Sequence, residues 1–235
     1  MISDKPERIA KIIARAGLCS RRDAEKWILE GRVKVNGHVI ETPALTISAQ
    51  DVILVDGQEI PHQEKTRLWL YHKPKGVLTT AEDPQKRPTV FENLPKTLPR
   101  VISVGRLDLN SEGLLLLTNS GTLAKHLTDP ASGYERVYRV RCRGTVAEST
   151  LKLLQKGVTI DDMHYAPIKA TLDRVQGGNS WLTMTLTEGK NREIRKILEY
   201  FGHPVNRLIR ISYGLFHLGD LKPWAVKEVK APQGF

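Results

Sequence analysis

Gly105-Arg106-Leu107-Asp108-Leu109-Asn110-Ser111-Glu112-Gly113 runs straight into Leu114-Leu115-Leu116-Leu117-Thr118-Asn119. The four leucines predict an apolar strand, and the polar turn before them sets one carboxylate, Asp108, at the mouth of that strand. The chain around it is basic, with a formal net charge of +10 over 235 residues. A basic protein that binds an anionic polymer seldom puts a carboxylate on its working face, because phosphate repels it. Asp108 is therefore either a group kept for chemistry or a turn cap whose carboxylate accepts from nearby backbone N–H groups. The residues alone leave both readings open.

The positive charge is unevenly spread. Residues 5–38 hold nine Lys and Arg against four Asp and Glu, residues 39–64 hold none against five, and residues 65–235 hold 27 against 16. A surplus in two blocks favours a polyanionic partner through counterion release from phosphates. Membrane binding is not expected, since no basic amphipathic helix carries a bulky apolar face and no run approaches the ~18 apolar residues of a span. Met1-Ile2-Ser3-Asp4-Lys5-Pro6 has no apolar stretch behind it, so a secretory signal is not expected either. Cys19 and Cys142 share no metal-like or redox spacing and read as ordinary side chains in a reducing cytoplasm.

Outward from the opening stretch, Ile9, Ile12, Ile13 and Ala16 fall at helical spacing over residues 7–16, closed by Gly17. Ser20 opens a second helix in a capping box with Asp23, and Gly31 closes it. Alternating valines ahead of Asn36-Gly37 predict a hairpin over 32–40, and residues 51–57 read as a further strand. A connector around Gln58 to Lys65 contains Pro61. Residues 68–72 then start a new domain, broken by Lys73-Pro74-Lys75-Gly76. A proline-rich loop occupies 80–100, and strands are expected at 101–104, 114–118, 136–142 and 180–187. Gly177-Gly178 reads as a hairpin turn, and 191–200 as a helix buried at Ile194, Ile197 and Leu198. Strands this segregated predict an α+β fold with a mainly antiparallel sheet and flanking helices.

The histidines form no His-Glu-x-x-His, the cysteines cannot build a zinc site, and there is no phosphate-binding glycine loop. No cofactor and no metal are expected. The opening stretch closely resembles the signature of pseudouridine synthases of the RsuA/RluB type. Two further stretches fit that family: Glu135-Arg136-Val137-Tyr138-Arg139-Val140, and Glu188-Gly189-Lys190-Asn191-Arg192-Glu193-Ile194-Arg195-Lys196. Residues 16–25 (Ala-Gly-Leu-Cys-Ser-Arg-Arg-Asp-Ala-Glu) and 31–37 (Gly-Arg-Val-Lys-Val-Asn-Gly) resemble the S4 RNA-binding domain. The resemblance covers nearly the whole chain. It implies a small N-terminal S4-like domain (5–60), a linker (61–67) and a larger pseudouridine synthase domain (68–235).

It also implies roles. Asp108 is the catalytic acid, and Arg106 contacts the backbone or fills the gap left by a flipped base. Tyr138 packs against the target base, Arg195 pairs with the aspartate, and Leu208 walls the uracil pocket. On their own residues, Tyr138 is equally a half-buried sheet aromatic, Arg195 a surface charge and Leu208 a core leucine. Glu112 and Glu193 read as structural carboxylates that cap or pair nearby. For RNA contacts, Arg8, Lys11 and Arg15 share one exposed helical stripe, with Arg21, Arg22 and Lys34 near the second helix and the hairpin. Lys190, Arg192, Lys196, Arg207 and Arg210, together with Arg195, suit phosphates around the flipped nucleotide.

The wording at 191–196 resembles the large-subunit, RluB-type enzymes. The expected partner is therefore ribosomal RNA, most simply 23S, bound by a cytoplasmic monomer, with ribosomal assembly intermediates as a further substrate form. A 16S-specific synthase and a non-catalytic ribosome-assembly protein are the alternatives.

Overall fold

The computed structural model describes residues 6–48 and 50–235; the readings made for Met1–Lys5, including Lys5 as a domain start, lie outside them. The N-terminal unit holds β1 (Glu7–Arg8), α1 (Ile9–Arg15), α2 (Arg21–Leu29), β2 (Val33–Val35), β3 (His38–Val39), β4 (Thr46–Ile47), β5 (Ile53–Val55) and β6 (Gln58–Glu59). The capping box forms as expected: Ser20 Oγ accepts from the Asp23 N–H at 3.1 Å, and the Asp23 carboxylate accepts from the Ser20 N–H. Asn36 (φ 50) and Gly37 (φ 85) supply the two positive φ values that a tight hairpin between β2 and β3 requires. Ile9, Ile12, Ile13, Ala24, Ile28, Val33, Ile47 and Ile53 close one small core.

The structure corrects two expectations. The connector does not begin at Gln58, because Gln58 and Glu59 pair with Val55 and Leu54 and extend the N-terminal sheet. Nor do Arg8, Lys11 and Arg15 share an exposed helical stripe. Arg8 precedes α1 in extended backbone, while Lys11 and Arg15 both turn onto Glu7, leaving the Arg15 side chain 13% exposed.

The rest of the chain builds β7 (Leu68–Lys73), β8 (Ile102–Val104), β9 (Glu112–Thr118), α3 (Gly121–Thr128), β10 (Arg136–Arg143), α4 (Glu148–Leu154), β11 (Val158–Ile160), β12 (Met163–Tyr165), β13 (Lys169–Gln176), β14 (Asn179–Leu186), α5 (Glu193–Tyr200), β15 (Val205–Tyr213), β16 (Phe216–His217) and β17 (Val226–Val229). Nine strands form one sheet in the order β13-β14-β10-β15-β9-β7-β17, with β8 on β9 and β16 on β15. Its pairings are antiparallel except β15 with β9. The leucine run is continuous because β9 is covered on both faces. Leu114 and Leu116 pack with α3, and Leu115 and Leu117 pack under the 80–100 loop. Strand β14 alternates instead, burying Leu182, Met184 and Leu186 with α4 and α5. Cys19 and Cys142 are buried free thiols, both pushed up to about 11 chiefly by burial.

Candidate active site

Asp108 stands on the turn between β8 and β9. The backbone closes that turn, the Ser111 N–H donating to the Asp108 carbonyl at 3.0 Å. Lys73, 0% exposed at the end of β7, braces it from below. Its ammonium donates to the carbonyls of Pro74 (3.0 Å), Asp108 (3.1 Å) and Ser111 (2.8 Å). Burial pushes the Lys73 amine down to about 8, against the opposing pull of Asp108 and Glu112. Among the described residues the Asp108 carboxylate accepts no hydrogen bond and joins no ion pair. The turn is held entirely through its main chain, so its geometry does not require the carboxylate.

That carboxylate lines a cleft of about 620 Å³, together with Arg106, Arg136, Tyr138, Leu208, Arg210, Tyr213 and the 188–193 segment. Three strands assemble it. Tyr138 and Val140 of β10 stand opposite Arg210 and Leu208 of β15. Strand β15 in turn lies parallel to β9, with Arg210 beside Gly113. A Cβ at Gly113 (φ +104) would sit 2.3 Å from the Arg210 carbonyl oxygen, so only glycine lets these strands meet.

The expected residues separate into groups. Arg106 is exposed at the rim, Tyr138 half-buried in the wall, and Leu208 buried with α5. Arg195 does not pair directly with Asp108. Its Nη1 and Nη2 donate to the carbonyls of Val205 (3.1 Å) and Asn110 (2.8 Å), which ties α5 to the Asp108 turn. Burial and Arg192 lower its pKa while Asp108 raises it, so the acid acts on Arg195 through space. Arg210 is no surface phosphate contact either. It is 3% exposed, donates from Nε to the Leu114 carbonyl at 2.7 Å and lies 5.1 Å from the Tyr213 ring centre. Arg207 lies on the outer face, paired with Glu112. Lys190 binds Glu188 at 2.6 Å, and Arg192 and Lys196 are exposed. Arg8, Arg21, Arg22 and Lys34 are exposed on the N-terminal unit.

Sequence reading passed over two contributors. Lys73 appeared only as a strand end, and its signal was a lysine closing an apolar run just before a proline. Arg136 is buried, donating to the Thr187 carbonyl at 2.6 Å and to the Tyr213 hydroxyl at 2.8 Å.

Residues 67–200 match the RNA pseudouridylate synthase family, and residues 7–53 match the S4 domain. The chain belongs to the RNA pseudouridine synthase family. An uncharacterized RNA pseudouridine synthase of Rickettsia felis is 54% identical over 223 residues, covering 95% of this chain and 96% of that one. Ribosomal large subunit pseudouridine synthase B of Salmonella typhi is 43% identical, covering 88% of this chain and 74% of its own. The Pseudomonas aeruginosa protein of the same name is 42% identical, covering 88% of this chain and 55% of its own. A crystal structure of a pseudouridylate synthase superposes with a TM-score of 0.66 at 25% identity, over 95% of this chain and 96% of that one. In this RNA pseudouridine synthase the family match takes in Asp108, Tyr138 and Arg195 but ends before β15. Leu208 and Arg210 enter the cleft from beyond the matched span. No helix of the described residues is long and apolar enough to cross a membrane.

Proposed function

We propose that this enzyme isomerises a uridine of large-subunit ribosomal RNA to pseudouridine with Asp108 as the acid and without a cofactor. One observation carries the reading: the Asp108 carboxylate is left unengaged in a cleft whose turn is held by main chain and Lys73. In the reaction the C1′–N1 bond breaks, the uracil turns, and C5 bonds to C1′; the C5 proton is released and N1 takes up one, so uridine and product are isomers. A carboxylate near the sugar serves as nucleophile at C1′ or as base at C2′. Tyr138 and Leu208 hold the detached base, and Arg195 fixes the Asp108 turn through the Asn110 carbonyl. The target nucleotide is flipped out first, at a cost of a few kcal/mol, with Arg106 at the rim to contact the backbone or fill the gap.

The large-subunit assignment is supported by the 191–196 wording and by the relatives named large subunit pseudouridine synthase B. We assign 5–60 to the S4-like domain, 61–67 to a linker and 68–235 to the catalytic domain, acting as a cytoplasmic monomer. The S4-like domain offers Arg8, Arg21, Arg22 and Lys34 to RNA phosphates, and assembling ribosomal particles are a further substrate form. The test is tritium release from large- and small-subunit rRNA transcripts made with 5-tritiated uridine. Release is expected from the large-subunit transcript alone and is lost in Asp108→Asn. Release only from the small-subunit transcript would overturn the target, and release by Asp108→Asn would overturn the role of the acid.

A further inference from the structure

Glu193 opens α5 with its side chain inside the wall of the cleft, only 4% exposed. One oxygen is accounted for, Oε2 accepting from the Lys190 N–H at 2.9 Å. The other, Oε1, is buried and has no donor among the described residues. An ionised carboxylate oxygen buried in this way is costly. The side chain that interacts with Glu193 is a second acid, Glu188. Glu188 is itself engaged, accepting from the Ala166 N–H at 2.8 Å and from the Lys190 ammonium at 2.6 Å. Lys190 thus grips both acids, one through its N–H and one through its side chain. Two neighbouring carboxyls do not both ionise readily, and a proton held between them would give Oε1 the partner it lacks.

We propose that Glu193 and Glu188 share one proton at neutral pH, and that this carboxyl–carboxylate pair is a latch positioning the 188–192 wall of the cleft for RNA. The positioning role rests on the RNA substrate argued above. The backbone of that wall needs a latch: Arg192 takes φ 52 ψ 31, a left-handed conformation that a long side chain keeps only when its surroundings impose it. With one proton the pair carries a single negative charge, which Lys190 balances. Without it, two like charges push the wall apart. Burial first, then the Glu188 charge, raises the Glu193 carboxyl to about 7. Glu188, although burial pushes it up, is drawn below its ordinary value by Lys190 and the Ala166 N–H. The other charged or titratable groups around the pair are Arg192 on the loop, His164 and Tyr165 on β12, and Arg136 on β10. His164 lends its carbonyl to Lys190 at 2.7 Å, Tyr165 lies 5.7 Å under that ammonium, and Arg136 binds the adjoining Thr187 carbonyl.

Two measurements on the full chain test the latch. Carbon-13 carboxyl NMR is expected to show Glu193 titrating at about pH 7 and falling by more than about one unit in Glu188→Gln. In transcript kinetics the wild-type KM is expected to rise about five-fold between about pH 6 and 8.5 with kcat nearly constant. Glu193→Gln supplies an amide donor that does not titrate and removes that step, whereas Glu193→Ala raises KM at both ends. His164 is present in every variant and so cancels from the comparison. A Glu193 titration in the ordinary carboxylate range, or a Glu193→Gln enzyme that follows the wild-type pH course, overturns the proposal. Should no transcript release tritium, filter-binding Kd replaces KM. A pH step in Kd that Glu193→Gln abolishes keeps the latch while the reaction fails, and its absence overturns the latch whatever the chemistry.

Discussion

Lys73→Met separates two contributions of one buried ammonium. Methionine keeps the length of the stem and removes the charge. Three carbonyls lose a donor, but that of Asp108 retains the Ser111 N–H, so Pro74 and Ser111 are the ones left short. One buried carbonyl (Ser111) and one half-buried carbonyl (Pro74) left under-satisfied cost about 1–3 kcal/mol each. Against this, the depression of Lys73 from 10.5 to about 8 means that its ionised form is disfavoured in the fold by about 3 kcal/mol. The balance lies between a gain of ~1 kcal/mol and a loss of ~3 kcal/mol, a fall in Tm of at most about 10 °C for a chain of this size. The rate responds differently, because Asp108 and Ser111 are the two ends of the turn that carries the proposed acid and a displacement of about 1 Å costs about 100-fold. Tritium release should therefore fall about 100-fold at a temperature where Lys73→Met stays folded, with RNA affinity unchanged. A kcat within about three-fold of wild type in the folded variant would refute the bracing argument; so would a loss that merely follows the unfolded fraction. The pH dependence has a fixed sign. With the folded pKa below the unfolded one, Lys73 binds fewer protons in the folded state between about 8 and 10.5. Wild-type stability relative to Lys73→Met is thus flat below pH 8 and rises through that window.

Asp108→Asn should abolish tritium release while leaving RNA affinity within about three-fold, since no described contact holds the fold through that carboxylate; a matching loss of binding would make the residue structural. Replacing Arg21, Arg22 and Lys34 together with Ala should weaken transcript binding and flatten its salt dependence by about one unit of slope for each phosphate these cations neutralise, measured by filter binding across a salt series. Gly113→Ala drives a methyl group to 2.3 Å from the Arg210 carbonyl oxygen. It should lower stability by about 3 kcal/mol or more in urea titration, with activity lost as β9 and β15 part. Ser20→Ala removes half of the capping box and should cost about 1 kcal/mol, leaving kcat unchanged.

Local chemistry was legible where one short stretch sets its own geometry. Ser20 with Asp23, Asn36 with Gly37, and the α5 face of Ile194, Ile197 and Leu198 each form as their residues dictate. Elements without a local signature were not. Ser120-Gly121 resembles a turn, yet Ser120 caps α3 through the Leu123 N–H at 3.3 Å. Strand β13 buries only Ala170, so it shows no alternation to read. Strand β15 carries Arg207 and Arg210 three residues apart and so on opposite faces, register shifts interrupt its pairing with β10 at both ends, and its pairing with β9 joins residues about a hundred apart. The site suffered in the same way: Asp108 announces itself in sequence, whereas the exposure of each surrounding cation is decided by that long-range pairing.

The cations near Asp108 share a habit that bears on its chemistry. Lys73 donates to three carbonyls, Arg136 and Arg195 to two each, and Arg210 to one. None of the four forms an ion pair among the described residues. Carbonyls satisfy a cation without neutralising it, so Arg136 and Arg210 keep their charge in the cleft wall and Lys73 and Arg195 theirs behind it. A direct guanidinium pair would bind both oxygens of Asp108 and withdraw them from the sugar. Cations held on carbonyls instead leave both oxygens of Asp108 free of a direct pair. The same positive field attracts RNA phosphates, which is how a carboxylate can stand on a face that binds RNA.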